Sequence, residues 1–153
     1  MNEGFRDKNA AHRLFAVTFN NRAWDLLERR GRSAPESEEM IHAAHASFLH
    51  WKAVGQPINM IRAYYLLSYV YADAGIGQQA SEYYEAARNL AEAESAGVED
   101  WDRAFLLDAG ARAYQAAGRA DESAALKEQA RSAGEMISDE PEKEIFMTTF
   151  GLE

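Results

Sequence analysis

The amino-acid sequence predicts an all-α fold built from antiparallel helices joined by short turns. Helical patterns end at regularly placed glycines, and the three prolines stand where helices can begin. Glycine after the end of a helix and proline in its first turn are typical of helix boundaries. No stretch of β-branched residues alternates with polar ones for long enough to indicate a strand. Because the connections are short, neighbouring helices are expected to pack antiparallel.

These boundary signals divide the chain into seven predicted helices. Their expected bounds are about 10–30, 34–54, 57–74, 77–95, 101–117, 120–137 and 141–150. The second helix is expected to begin with a capping box, because Ser33 and Glu36 have the spacing at which each side chain accepts a hydrogen bond from the other's backbone N–H. Asp139, just ahead of Pro141, is a candidate N-cap for the seventh helix.

The seventh helix carries the apolar residues Ile145, Phe146 and Phe150. The last unit of a helical array needs a cover for its apolar face, so this helix is predicted to be a C-terminal cap. The alternative is a docking helix for a partner or for a second subunit. Trp101, which follows the turn at Gly97, is expected to cover a helix junction, with an exposed contact as the alternative.

The composition, with 47% hydrophobic and 27% charged residues, favours a single domain over residues 1–153. The chain has no cysteine, which excludes disulfides and thiolate metal sites and fits a reducing compartment. The net charge of −9 would repel a phosphate backbone, so no nucleic-acid partner is expected. No apolar leader and no segment of membrane-spanning length is present, so we expect a cytoplasmic protein without a membrane partner.

One segment, residues 64–87, resembles the tetratricopeptide repeat. Its large, small and aromatic residues follow the order of that family, at Tyr64, Leu67, Ser68, Tyr71, Gly75, Ala80, Tyr84 and Ala87. The next unit matches less fully. A unit upstream matches more weakly still, with Trp24 at a position that the family keeps small. The turn glycines Gly31, Gly75 and Gly118 lie 44 and 43 residues apart, which exceeds the usual period of about 34.

The resemblance covers about residues 17–131 and implies a right-handed array of three helix hairpins. The units would span about 10–54, 57–97 and 98–138, with the cap at 139–153. The whole chain is similar to uncharacterised bacterial proteins of this tetratricopeptide-like kind. In the family, the first helix of each unit lines a concave groove that usually binds an extended peptide.

The groove positions of the family give a mixed polar and aromatic surface in this chain. They are Thr18, Asn21 and Asp25 in the first unit, Arg62, Tyr65 and Tyr69 in the second, and Phe105, Asp108 and Arg112 in the third. The alternative is that Tyr65 and Tyr69 pack against the neighbouring unit while Arg62 pairs with an acid. Some members bind an acidic chaperone tail with a carboxylate clamp, but here Asp25 and Asp108 would repel a carboxylate.

The stretch from Ile41 to Trp51 contains three of the four histidines of the chain. Its helix is apolar nearly all round, which predicts burial between neighbouring helices. Glu38, His42 and His45 share one stripe, where they could bind a single zinc or iron ion.

The alternative for these histidines is packing within the core. Antiparallel pairing of the first two helices would place Asn20 near His45 or Ala46 and Trp24 near His42, where they could satisfy the imidazole nitrogens. His50 points away from both other histidines and cannot join them.

These observations favour a non-catalytic module that binds a protein or peptide partner in the groove. No nucleophile elbow, phosphate loop or nucleotide motif is present, and no cofactor is expected. One alternative is a metal-binding protein or metal-dependent enzyme centred on Glu38, His42 and His45. The other is a structural homo-oligomer, such as a homodimer, that buries its own groove.

Overall fold

A computed structural model describes residues 7–151 of the chain. These residues form seven helices: α1 Lys8–Glu28, α2 Ala34–Val54, α3 Pro57–Asp73, α4 Gly77–Ala93, α5 Asp100–Ala116, α6 Ala120–Glu135 and α7 Glu140–Phe150. No strand occurs in this range, so the all-α prediction is confirmed. The predicted helix bounds differ from the observed ones by at most two residues at either end.

The predicted caps are present at two helix starts. Ser33 and Glu36 form the reciprocal capping box of α2. At α7, the carboxylate of Asp139 accepts a hydrogen bond from the backbone N–H of Glu142 at 3.0 Å. Each bond satisfies a backbone donor that the first turn of a helix leaves free, which fixes where the helix begins.

The helices pack as three consecutive hairpins, α1 with α2, α3 with α4, and α5 with α6. Helix α3 also contacts α1 and α5, which places α1, α3 and α5 side by side along one face of the array. Helix α7 packs on α5 and α6. The described residues therefore form an all-α hairpin array whose last hairpin is covered by a further helix. No helix among residues 7–151 combines the length and the apolar character needed to cross a membrane.

The second and third hairpins share the same turn. Gly75 and Gly118 have φ angles of 75° and 77°, a left-handed conformation that glycine adopts without a steric penalty. In each turn the next residue donates its N–H to a carbonyl five residues earlier, Ile76 to Tyr71 at 2.9 Å and Arg119 to Tyr114 at 2.8 Å. The same backbone arrangement therefore recurs 43 residues later along the chain.

Each hairpin is also joined by one buried serine, whose hydroxyl donates to a backbone carbonyl of the paired helix. The three bonds are Ser47 to Ala16 at 2.8 Å, Ser68 to Ala80 at 2.9 Å and Ser123 to Ala111 at 2.6 Å. In the second and third hairpins the bonded positions are again 43 residues apart, with donor and acceptor exchanged between the two helices. Small side chains at both positions let the helix backbones approach closely.

Helix α2 is less buried than its composition predicts. It was expected to lie buried among neighbouring helices, but Leu49 is 63% exposed and the side chain of His42 is 75% exposed. Only one face, including Met40 and Ala44, is buried. Helices α1 and α3 both contact α2, and alanines elsewhere on α2 expose little apolar area to water. Among the described helices, α3 and α5 have the most buried residues.

The cap predicted at the C-terminus is confirmed by the packing of α7. Phe146 is fully buried and lies against Gly134 of α6, where any Cβ would overlap its ring. Because glycine has no side chain, α6 and α7 can approach closely enough to bury this aromatic ring.

Candidate functional site

A groove lies between α1 and α7, with α3 and α5 at its base. It has a volume of about 720 Å³. Its lining combines aromatic rings, amides and carboxylates: Asn20, Asn21, Trp24, Asp25, Glu28, Arg62, Tyr65, Trp101, Phe105, Glu142, Ile145 and Thr149. An open cleft with an apolar base and a few polar groups at its rim is the usual form of a binding site.

The base of the groove is an aromatic cluster centred on Phe105, which is 5% exposed. Its ring centroid lies 5.2 to 6.5 Å from those of Trp24, Tyr65, Tyr69, Trp101 and Phe146. These rings come from α1, α3, α5 and α7, so one cluster holds all four helices of the groove together. Offset and edge-to-face aromatic pairs of this kind add to the free energy gained by burying their apolar area.

A buried ion pair forms one wall of the groove. The Arg62 guanidinium donates two hydrogen bonds to the carboxylate of Asp102, at 2.8 and 2.9 Å, and Asp102 is 1% exposed. The same carboxylate accepts bonds from the Tyr65 hydroxyl at 3.2 Å and from the backbone N–H of Glu99 at 3.1 Å. The guanidinium carbon also lies 4.3 Å from the ring centroid of Trp101. We call Arg62, Asp102 and Tyr65 the first lock.

A second buried cluster, the second lock, consists of Tyr69, Asp108 and Arg112. Asp108 is fully buried and accepts bonds from the Tyr69 hydroxyl at 2.6 Å and from Arg112 Nε at 2.9 Å. Arg112 Nη2 also donates to the backbone carbonyl of Thr149 in α7 at 2.7 Å. A hydrogen bond from Arg112 of the third hairpin therefore helps to hold the cap helix α7 in place.

Both tyrosines of the locks are held as neutral donors. Burial raises the pKa of Tyr65 well above its usual range, and the neighbouring Asp102 carboxylate raises it further. Burial likewise raises the pKa of Tyr69, with Asp108 as the second cause. An ionised phenol next to a carboxylate would be strongly unfavourable, so both hydroxyls keep their protons and donate.

The rim of the groove is negatively charged. Asp25 and Glu28 of α1 and Glu142 of α7 line it, and no ion pair joins any of them to another of residues 7–151. Burial raises the pKa of Glu28, and the nearby Asp25 carboxylate adds to this shift. The cation of the groove, Arg62, is matched by Asp102, so three carboxylates remain without a counter-ion from the groove itself.

The structure separates the predicted groove residues into two groups. Asn21, Asp25, Arg62 and Tyr65 line the groove between α1 and α7. Tyr69, Asp108 and Arg112 belong to the second lock, and Tyr69 and Arg112 line a different hollow of about 620 Å³. Tyr65 and Tyr69 pack against α5, and Arg62 pairs with Asp102, which are the contacts that the sequence left open as the alternative.

Sequence reasoning missed several groove residues. Trp101, Glu142, Ile145 and Thr149 line the groove but were not among the predicted positions. Three of them belong to α7, and the sequence does not specify on which side of the array a cap helix lies. Trp24 also lines the groove, and its place in the sequence was a reason to suspect it. It is a large aromatic residue at a position where the repeat family has a small one.

The histidines of α2 do not come together. His45 Nε2 lies 2.8 Å from the Tyr71 hydroxyl, and the Asn20 amide, which was expected near His45 or Ala46, donates a hydrogen bond to Asn21. His45 faces α3 and α4 rather than α1, and burial lowers its pKa, with His42 adding to the effect. His42 lies 3.5 Å from Glu38, and both side chains are exposed.

His50 pairs with a histidine of a different helix. Its Nδ1 lies 2.9 Å from Nδ1 of His12 in α1, which agrees with the prediction that it points away from the other histidines of α2. Trp24, expected near His42, contacts Tyr69 and Phe105. No three histidine, cysteine, aspartate or glutamate side chains within residues 7–151 are arranged to hold a metal ion.

No protein-family model, curated protein or solved structure matches this chain.

Proposed function

We propose that this chain is a tetratricopeptide-like repeat protein that binds an extended peptide segment of a partner protein without catalysing a reaction. We further propose that it acts in a bacterium, as the sequence resemblance implies, and in the cytoplasm, a reducing compartment that a chain without cysteine fits. The turn and the serine bond that recur 43 residues apart in the second and third hairpins support the repeat assignment. A period longer than about 34 residues would make this a variant with extended helices.

The observation that carries the binding proposal is the groove between α1 and α7. Its aromatic base offers apolar area for side chains of a ligand, and its volume of about 720 Å³ accommodates a short extended segment. Asn20 and Asn21 lie at the rim, where amides supply both donors and acceptors for a peptide backbone. Aromatic anchors surrounded by adaptable polar groups are typical of peptide-binding surfaces.

The locks explain how such a groove keeps its shape before a ligand arrives. The first lock joins α3 to α5, and the second joins α5 to α7. Because Asp102 and Asp108 are both buried and paired, the walls are held by bonds that do not need the ligand. A preformed groove loses less conformational entropy on binding, which favours affinity.

The test is selection of peptides from a random dodecamer library on the folded protein, followed by binding to two tryptophan variants. Asn21→Trp places a bulky ring in the groove, whereas Asn89→Trp places the same ring on an exposed site of α4. We expect selected peptides to bind the wild type and Asn89→Trp and to lose at least about ten-fold in affinity for Asn21→Trp.

The binding location is checked by NMR on the three tryptophan side chains. Trp24 and Trp101 line the groove, whereas Trp51 of α2 does not. A groove ligand should shift the indole N–H signals of Trp24 and Trp101 and leave that of Trp51 unchanged. The proposal would be wrong if no peptide is enriched, if Asn21→Trp binds as well as the wild type, or if only Trp51 responds.

A further inference from the structure

We infer that the groove between α1 and α7 selects a peptide segment that presents an arginine side chain next to apolar residues. This inference rests on the proposed function and specifies its ligand. Three features support it: rim carboxylates that form no ion pair within residues 7–151, the aromatic base, and the way in which the groove already binds one guanidinium of its own chain.

The carboxylates at the rim define the sign of the ligand. Asp25 and Glu28 lie on one side of the groove and Glu142 on the other, so a cation between α1 and α7 would face negative charge from both walls. None of the three is joined by an ion pair to the rest of residues 7–151. The net charge of −9 has the same sign, so the protein as a whole also attracts basic ligands.

The raised pKa of Glu28 agrees with this picture. The pKa of Glu28 is raised because nearby protein displaces some of the water around its carboxylate, although the residue as a whole is exposed, and because the Asp25 carboxylate lies close to it. A bound cation would supply the missing opposite charge and favour the ionised carboxylates. An acidic segment would increase the same repulsion, which makes it the wrong ligand.

Arg62 indicates which kind of cation the groove suits. Its guanidinium carbon lies 4.3 Å from the ring centroid of Trp101, and its nitrogens make a bidentate pair of hydrogen bonds to the Asp102 carboxylate. Trp24, which lines the same groove, is only partly buried, so part of its ring remains accessible to a ligand. Guanidinium is planar and weakly hydrated, and it combines aromatic stacking with carboxylate pairing better than the compact ammonium of lysine does.

The experiment compares two peptides that differ only in charge. The probes are the acetylated, amidated peptide Ser-Leu-Arg-Leu-Arg-Ser and its twin in which both arginines are citrulline, a neutral residue of nearly the same shape. Each is titrated into the full chain and followed by the indole signals of Trp24, Trp101 and Trp51. We expect the arginine peptide to bind at least about ten-fold tighter than the citrulline peptide. We also expect about 0.5 M salt to lower the affinity of the arginine peptide, because added ions screen charge pairs at the rim.

Two matched triple variants separate the local carboxylates from the overall charge. The first carries Asp25→Asn, Glu28→Gln and Glu142→Gln, which neutralise the rim and preserve side-chain size. The control carries Glu82→Gln, Glu92→Gln and Glu94→Gln, which make the same charge change at exposed sites on or next to α4. We expect the first triple to lose at least about ten-fold in affinity for the arginine peptide and the control to stay within about two-fold.

Three results would overturn the inference: equal affinity for both peptides, equal loss in both triples, or a response confined to Trp51. Asp25→Asn alone provides a milder variant if the first triple is unstable. It should lower the affinity for the arginine peptide but not the affinity for the citrulline peptide. If neither peptide binds but library peptides bind in the groove, the inference fails and the proposed function stands. If the library also yields no groove ligand, the proposed function fails as well.

Discussion

The two locks use the same three residue types in different ways. In the first, Arg62 of α3 reaches Asp102 of α5, 40 residues away, and their bond joins two hairpins. In the second, Arg112 and Asp108 are one turn apart on the same helix. This lock reaches two other helices, because Asp108 accepts a bond from Tyr69 of α3 and Arg112 donates to the Thr149 carbonyl of α7.

The comparison indicates a division of roles. The first lock fixes the distance between hairpins and forms a wall of the proposed binding groove. The second lock holds the cap helix, whose Glu142, Ile145 and Thr149 form the opposite side of that groove. Removing the central carboxylate of each lock, Asp102 or Asp108, should therefore lower the free energy of unfolding by different amounts. It should also destabilise different helices.

The largest effect is expected for Asp102→Ala. The substitution leaves the buried Tyr65 hydroxyl without its acceptor, removes both hydrogen bonds from Arg62 and breaks the bond to the N–H of Glu99. Loss of one partner from a buried pair costs roughly 3 to 5 kcal/mol, and the partial exposure of Arg62 favours the lower end. The free energy of unfolding should fall by about 3 kcal/mol in urea denaturation.

The control for this variant is Arg103→Ala, an exposed site on the same turn of α5. It should change the free energy of unfolding by less than about 0.5 kcal/mol. If Asp102→Ala and Arg103→Ala were equally stable, the first lock would not fix the spacing of the hairpins.

A smaller and more local effect is expected for Asp108→Ala. Tyr69 keeps a second acceptor in the Phe105 carbonyl at 3.2 Å, and Arg112 keeps its bond to Thr149. The unfolding free energy should therefore fall by roughly 2 kcal/mol. Amide hydrogen exchange should accelerate in α7 more than in α1 or α2, because the support of the cap is weakened.

Equal acceleration of exchange in every helix would contradict this second prediction. It would mean that Asp108 stabilises the whole array in the same way as Asp102 does. Unchanged exchange in α7 would show instead that the packing of Phe146 alone holds the cap.

The smallest effect concerns the two tyrosines at high pH. Both have folded-state pKa values raised by burial well above the ordinary value of 10.0. Above about pH 10 the unfolded chain loses these protons while the folded chain retains them, so stability that is present at lower pH is lost as the pH rises. We expect the melting temperature to fall above pH 10, and to fall less steeply in Tyr65→Phe and Tyr69→Phe.

At pH 7 the free energy of unfolding of each phenylalanine variant should be about 1 kcal/mol lower than that of the wild type, which is the net contribution of one hydrogen bond. A matched comparison is Tyr71→Phe, which removes the partner of His45 outside both locks. If its alkaline melting curve changed as much as those of the two lock variants, the buried tyrosines would not be the source of the pH dependence.

Several features of the fold were predictable because they depend on residues close in sequence. Gly75 and Gly118 end helices through a left-handed turn, and Ser33 caps α2 three residues from its partner. The Asp108–Arg112 pair also lies at a spacing that local helix geometry brings together. Groove positions such as Asn21 and Asp25 were implied by the resemblance to the tetratricopeptide repeat, in which the first helix of each unit lines the groove.

The partners of polar side chains were not predictable in the same way. His45 was expected next to α1 and instead bonds to Tyr71, because a helical wheel gives a direction but does not specify which neighbour lies there. The same limitation applies to α2, whose alanine-rich surface resembles a buried helix although part of it faces water. Alanine contributes too little apolar area for its exposure to be costly.

The sequence by itself determined the helices, their order and the need for a cap, because caps, turns and amphipathic faces are properties of neighbouring residues. Only the tertiary structure decided that Arg62 meets Asp102, that Phe105 joins rings from four helices, and that α7 closes a groove with carboxylates on two sides. The physical reason is that side chains many residues apart meet only after whole helices have packed, and that packing depends on the combined fit of all their faces.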